Sequence, residues 1–376
     1  MPPTSRRPQV TTLEMALQGG GAHGAFTWGV LDRLLDEPGL QVAGISGTSA
    51  GAMNAVVLAS GLLSAGRQGA RQALTRFWQS VADIGPFSPM PWRAAHTDAT
   101  PHPDWWSPWL DLWNEPLQAW MTMAQDGWRR LSGRDPSPYE FNPLALNPLR
   151  LLLTQQVDFE ALRASDDIQL FIAATQVRTG GLRLFRRPEL SADVVMASAC
   201  LPLAFQAVEI DGEAYWDGGY AGNPSLLPLI LECPADDLVL VQLNPRLREA
   251  LPTRTPDILD RMNEVTFNAS LLKELRSIAL LKQALATHRG PKTRGKAAPR
   301  PSQPALFERV EALRIHRIDG EGRLSDLGAS SKLDTRRVFL ERLHQVGIEA
   351  AEHWLRDHRA DLGRRSTISL DEEWPP

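Results

Sequence analysis

Cysteine is nearly absent from this 376-residue chain, which carries only Cys200 and Cys233. Two thiols cannot build a disulfide framework, so the fold must rest on a buried core in a reducing compartment. Both cysteines read as small buried hydrophobes and not as nucleophiles. No apolar run approaches the roughly 18 residues that a membrane-spanning helix needs. Arg6 and Arg7 have no apolar stretch behind them, so the N-terminus does not read as a secretory signal. A net charge of −4 gives no excess of positive charge for nucleic acid to recognise. Lysine is far scarcer than arginine, a matter of composition and not of chemistry. These absences point to a cytoplasmic protein that can visit a membrane surface without crossing it. Hydrophobic and charged contents of 43% and 22% are ordinary for a globular protein, and the length allows one large α/β domain with an appendage.

What is present is concentrated between Leu13 and Gly61. A strand-like run (Leu13 to Leu17) leads into a glycine loop (Gly19, Gly20, Gly21, Ala22, His23, Gly24), a helix-patterned segment (Ala25 to Asp36) and a second strand-like run (Val42 to Ile45). The second run ends in Gly47-Thr48-Ser49-Ala50-Gly51. Small residues around Ser49 permit the sharp strand-to-helix turn that holds a serine hydroxyl clear of its backbone, and the following helix (Ala52 to Leu63) aims its N-terminus there. Gly19, Gly21 and Gly24 also fit a dinucleotide fingerprint, but no acidic residue closes the second strand to hold a ribose. A nucleotide cofactor is therefore not expected. The better reading aims the N–H groups of Gly19, Gly20 and Gly21 at an oxyanion forming on Ser49.

A serine needs a base. Asp217-Gly218-Gly219 follows an alternating strand (Ala207 to Ile210), an Asp211-Gly212 hairpin signal and a second short strand (Ala214 to Trp216). A glycine-rich loop, then Gly-Thr-Ser-Ala-Gly, then a distant Asp-Gly-Gly resembles the three signature blocks of the patatin-like phospholipases. A fourth patch, Ala197 to Pro202, is similar to the small-residue and proline block that this family carries before its aspartate. The resemblance covers roughly residues 12–245. It implies a three-layer α/β fold with the elbow serine after the second strand, a catalytic Ser49–Asp217 dyad, an oxyanion hole at Gly19, Gly20 and Gly21, and no metal or cofactor. Gly24, Gly47, Gly51, Gly218 and Gly219 would shape the loops. The family usually has Arg or Lys where this chain has His23, so any charge there would depend on pH, or the ring only packs against the loop, which is the favoured reading.

The rest of the chain alternates apolar runs with helical segments, which argues for a mainly parallel sheet covered by helices on both faces. Arg67 to Val81 reads as a second helix after Ser49. Asn147-Pro148, Asp158 and Ser191 each read as helix starts. Ile168 to Val177, Leu182 to Phe185 and Leu238 to Leu243 read as strands. The segment at about 85–138 is dense in proline and holds seven of the twelve tryptophans, between Trp92 and Trp128. It reads as an insertion, forming either a lipid-facing lid over Ser49 with Trp105, Trp106, Trp109, Trp113 and Trp120, or a satellite core. Residues 1–11 would be a tail, 12–245 the catalytic domain, and 246–376 a mainly helical region with a basic loop at about 288–304, a late edge strand (Val310 to Ile318) and a long amphipathic helix (Asp334 to Asp361).

These readings converge on a serine-dependent lipid acyl hydrolase, of phospholipase A or lysophospholipase type, working on a lipid or membrane-surface substrate. The same dyad could serve a storage polyester or a thioester, or the site could be vestigial in a membrane-docking protein. A Ser-His-Asp hydrolase fits less well: only two strands precede Ser49, and His316, His344, His353 and His358 lie in segments that read as edge strand or helix surface.

Overall fold

Strands β1 (Thr11–Leu17) and β2 (Leu40–Thr48) open a sheet that also contains β3 (Gln169–Gln176), β4 (Leu182–Arg186), β5 (Val208–Ile210), β6 (Glu213–Asp217), β7 (Asp237–Val241) and β8 (Arg314–Ile318). The computed structural model describes residues 10–85, 137–288, 305–320, 322–324 and 327–370. The tryptophan cluster from Trp92 to Trp128, and with it the expected lid, lies outside the described residues, as does nearly all of the basic loop. The strand order is β5-β6-β3-β2-β1-β7-β8, with β4 also paired to β3. β1, β2, β3, β7 and β8 run parallel. β3 pairs antiparallel with β4 and β6, and β6 with β5.

Ten helices among the described residues complete the fold: α1 (Gly24–Asp36), α2 (Ala50–Ile84), α3 (Pro138–Phe141), α4 (Pro148–Gln156), α5 (Phe159–Ala164), α6 (Ala192–Ser198), α7 (Leu227–Glu232), α8 (Thr255–His288), α9 (Ala305–Ala312) and α10 (Arg337–His358). The β1 side chains alternate between two apolar clusters. Leu13, Met15 and Leu17 join residues of α1, α2 and α10, whereas Ala16 joins residues of α7, α8 and α9. Two covered faces make three layers and explain why the central strands read as unbroken apolar runs.

Local sequence signals act where they stand. Asn147, Asp158 and Ser191 accept N–H groups at the starts of α4, α5 and α6. Asp211 and Gly212, at φ 52° and 79°, turn the β5–β6 hairpin. The α2 helix breaks at Ala65 and Gly66, which leave helical geometry, so Arg67 begins a second helical segment as expected.

Two boundaries differ from the sequence reading. β2 continues through Gly47 and Thr48, because β3 pairs with it as far as Thr48. Residues 310–312 finish α9, and only Arg314–Ile318 is strand. That edge strand is also covered: Ile315 N–H donates to Ser366 Oγ at 3.1 Å and its carbonyl accepts from Thr367 N–H at 3.1 Å. His316 is consequently fully buried, although its segment reads as an exposed edge.

α1 and α10 meet through glycine. A Cβ on Gly29 would lie 1.9 Å from His344 O, and one on Gly347 would lie 2.1 Å from Phe26 O. Alanine normally stabilises a helix interior by up to about 1 kcal/mol over glycine. Here Gly29→Ala or Gly347→Ala should instead destabilise by about 2–3 kcal/mol through overpacking against main chain. A urea midpoint at or above that of the parent protein would show that the helices part without strain.

Candidate functional site

Two loops meet because β3 changes partners along one edge. β2 pairs with it only as far as Thr48, opposite Ala173, while β4 occupies the other edge from Phe171 to Thr175. β6 pairs with Ala174, Thr175 and Gln176, so it takes the edge that β2 has just left, with Asp217 opposite Ala174. Asp217 therefore arrives beside the Thr48–Ser49 turn. Thr48 Oγ1 confirms the junction by donating to Gly222 O at 2.7 Å.

Ser49 sits at the head of α2 with φ 55° and ψ −122°, a backbone state that costs a non-glycine residue on the order of 1–3 kcal/mol. Its surroundings hold it there. The Ser49 N–H donates to Ser198 Oγ at 2.8 Å, and a Cβ on Gly51 would lie 2.1 Å from Leu17 O. Gly24, Gly47, Gly218 and Gly219 lie as closely against Ala50, Gly51, Ala173 and Phe267. Below the turn, buried Asn54 donates to Gly24 O and Ala50 O and accepts from Trp78 Nε1. Ser198 belongs to the small-residue block noted in the sequence, where its hydroxyl carried no visible assignment.

The glycine loop divides its labour. Gly19 N–H donates to Asn223 Oδ1 at 2.7 Å and its carbonyl accepts from Asn244 Nδ2 at 3.1 Å, so its amide is engaged away from any oxyanion. Gly20 and Gly21 line the cavity with Ser49, and no acceptor takes their N–H groups among the described residues. Of the expected trio, Gly20 and Gly21 are thus the two whose N–H groups are unclaimed among the described residues. Gly21 has φ +58°, and a Cβ there would lie 2.3 Å from Lys332 O. Asn223 and Asn244 were not legible as partners, since each stands before proline and reads locally as a turn residue.

Asp217 is fully buried, and burial raises its carboxyl from the ordinary 3.8 to about 6 against the lowering effects of the Gly219 N–H, the Ser49 hydroxyl and the Lys332 ammonium. Its Oδ1 accepts from Gly219 N–H at 2.7 Å. Its Oδ2 has no donor at full hydrogen-bond geometry among the described residues, although the Ser49 hydroxyl lies near enough to lower the carboxyl's pKa. A buried carboxylate with an unsatisfied oxygen beside a hydroxyl is suited to accept that hydroxyl's proton.

His23 is buried, and burial followed by the nearby Lys332 charge pushes its pKa down to about 3. Ser331 Oγ spends its proton on Gly328 O, so His23 Nε2 must be the donor in their 2.8 Å contact. A neutral ring in that tautomer packs the loop and carries no charge at neutral pH. No histidine lines the Ser49 cavity among the described residues. His316 pairs with Asp237 at 3.0 Å, and His344 stacks on Trp28 and meets Asp32 at 3.2 Å.

The cavity above Ser49 measures about 380 Å³ and is walled by Met53, Phe77, Trp78, Val81, Leu201 and Phe205, with Tyr220, Phe267 and Lys332 opposite. A larger space of about 680 Å³ lies at the other ends of β1 and β2, around Gly39, Leu58 and Ile168, and holds neither Ser49 nor Asp217. The smaller one is where the reactive groups open onto an apolar wall.

Keeping Asp217 buried costs stability. Its folded pKa lies above its unfolded value, so the native state binds the extra proton between about 4 and 6 and the penalty is complete above pH 6. That penalty is on the order of 3 kcal/mol. Asp217→Asn keeps an acceptor for Gly219 N–H and removes the charge, and should therefore raise stability at pH 7.5 by roughly 1–3 kcal/mol, with the gain shrinking toward pH 4. Paired thermal melts at the two pH values test this, and a lower melting temperature for the variant at pH 7.5 would contradict it.

The sequence carries further information on ancestry. Among solved structures, VipD from Legionella pneumophila aligns over 94% of this chain and 68% of its own, at 14% identity and a TM-score of 0.39. The ExoU–SpcU complex from the type III secretion system of Pseudomonas aeruginosa aligns over 94% and 77%, at 16% identity and a TM-score of 0.27. No curated protein matches the chain. The model of the patatin-like phospholipases matches residues 15–230, more than half of the length and inclusive of the glycine loop, the Ser49 turn and Asp217. On that match the chain belongs to the patatin-like phospholipase family.

Proposed function

We propose that the protein is a serine-dependent lipid acyl hydrolase that cleaves carboxylic esters through Ser49 and Asp217. The observation that supports this reading is the meeting of a strained, buried serine and an unsatisfied buried carboxylate at the foot of an apolar cavity. The cavity walls suit an acyl chain, whose burial is favourable at about 0.8 kcal/mol per CH₂.

In this reading Ser49 Oγ attacks the ester carbonyl carbon while Asp217 takes its proton. The oxygen of the tetrahedral intermediate is held by Gly20 and Gly21 N–H groups and by the positive end of α2. Collapse breaks the bond to the alcohol oxygen, which leaves with the proton from Asp217. A water then attacks the acyl-enzyme, giving a proton to Asp217, and the fatty acid departs as that proton returns to Ser49. A helix long and apolar enough to cross a membrane is absent among the described residues, so substrate is met at a surface or in solution.

Ser49→Ala and Asp217→Ala should each lower hydrolysis of a short nitrophenyl ester by about 10³-fold or more without loss of the fold. His344→Ala and His358→Ala should leave the rate within about threefold, since neither lines the cavity. A histidine variant that remained folded and was as inactive as Asp217→Ala would sink the dyad.

A further inference from the structure

Lysine is scarce in this chain and none occurs before Lys273. One of the five, Lys332, lies in the Ser49 cavity wall. It belongs to a 3-10 turn, Ala329–Leu333, whose Ser331 also meets His23 Nε2 at 2.8 Å. The Lys332 carbonyl fills the space above Gly21 where a side chain would stand. Its ammonium is buried yet well anchored, donating to Asn244 Oδ1 and Asn263 Oδ1 at 2.7 Å each and lying 5.3 Å from the Phe267 ring centre. Asn244 in turn donates to Gly19 O, so the same side chain ties the ammonium to the glycine loop.

An anchored ammonium in the wall of the cavity that also holds a buried carboxylate has an electrostatic consequence. The groups that face Lys332 are Glu264 and Asp260 from α8, Asp217 from the end of β6 and neutral His23 from the glycine turn. Glu264 is already matched by Arg248 and Arg261, the latter at 3.0 Å. Among the described residues no arginine pairs with Asp217: its oxygens meet one backbone N–H and the Ser49 hydroxyl. In a water-poor site each charge favours the ionised form of the other.

We propose that Lys332 is a positioning residue of this site, whose anchored ammonium keeps the Asp217 carboxylate ionised at neutral pH and therefore ready to take the Ser49 proton. The inference rests on the hydrolase reading for the use of that carboxylate, but its electrostatic part stands without it. Burial pushes Lys332 down to about 8, still high enough for the ammonium to be mostly protonated at pH 7. Without that charge the Asp217 carboxyl would titrate above its present value of about 6, and a larger share of it would be protonated near neutral pH. At pH 9 the carboxylate forms with or without Lys332.

The test compares Lys332→Met and Lys332→Arg with the full parent chain. The Asp217 carboxyl carbon is followed by ¹³C NMR from pH 4.5 to 9, assigned by its loss in Asp217→Asn. We expect the midpoint to rise from about 6 toward 7 in the Met variant and to stay near 6 in the Arg variant. On a soluble nitrophenyl ester, Lys332→Met should lose roughly fivefold in kcat/KM at pH 6 and recover to within about twofold at pH 9, while Lys332→Arg stays near the parent at both. A merely structural lysine would give a loss that pH does not repair. An unmoved Asp217 midpoint in a folded Met variant, or a deficit that persists at pH 9, overturns the proposal. If the Met variant does not fold, the Arg variant decides: a rise of its midpoint toward 7 overturns the proposal, and retention near 6 with parent-like rates supports it. If the parent hydrolyses no ester, the hydrolase reading falls and the NMR titration still judges Lys332.

Discussion

The succession of two partners along one edge of β3 is the constraint on which the rest depends. β2 stops at Thr48 because the chain must leave the sheet to make the Ser49 turn, and the vacated edge is filled from the opposite direction by β6. Had β2 run on, Asp217 would have no seat; had β6 been one residue longer or shorter in register, its carboxylate would face the other side of the sheet. The sheet thus measures the serine–aspartate distance without either loop needing to be rigid by itself. Close-packed glycines then lock what the register sets, since Gly51 and Gly218 admit no side chain against Leu17 and Ala173.

Electrostatics set the second constraint. The apolar wall that would welcome an acyl chain also strips water from Asp217, and a carboxyl in such a place tends to keep its proton. The molecule answers with a backbone N–H from Gly219 and with a cation delivered by a distant turn. The histidine in the glycine loop takes no part in that charge balance, since burial and the nearby Lys332 charge keep it neutral. One short turn therefore silences one potential cation and supplies another.

Much of this was legible in the sequence, and what was hidden shares a physical character. The strand–loop–helix units around Gly19 and Ser49, the Asp211-Gly212 hairpin before Asp217, and the caps at Asn147, Asp158 and Ser191 are local, so their residue types announce them. Ser198, Asn223 and Asn244 act across separations of 149, 204 and 225 positions, Lys332 reaches back 88 positions to Asn244, and nothing beside them in the chain marks them. Gly19 illustrates the limit within a motif: three adjacent glycines look equivalent until Asn223 claims one of their amides. His316 shows it in the core, where an edge strand was read as exposed because the segment that covers it, around Ser366 and Thr367, has no strand pattern of its own.

The contact between His23 and Ser331 spans 308 positions, and it closes over a glycine loop made among the first two dozen residues. Translation proceeds from the N-terminus, and early segments can fold before later ones emerge. The Ser49 turn can therefore form on the ribosome long before Asp217 emerges, and Asp217 long before the turn that carries Lys332. Such an order of assembly leaves the Ser49 cavity without its ammonium until nearly all of the described chain has been synthesised.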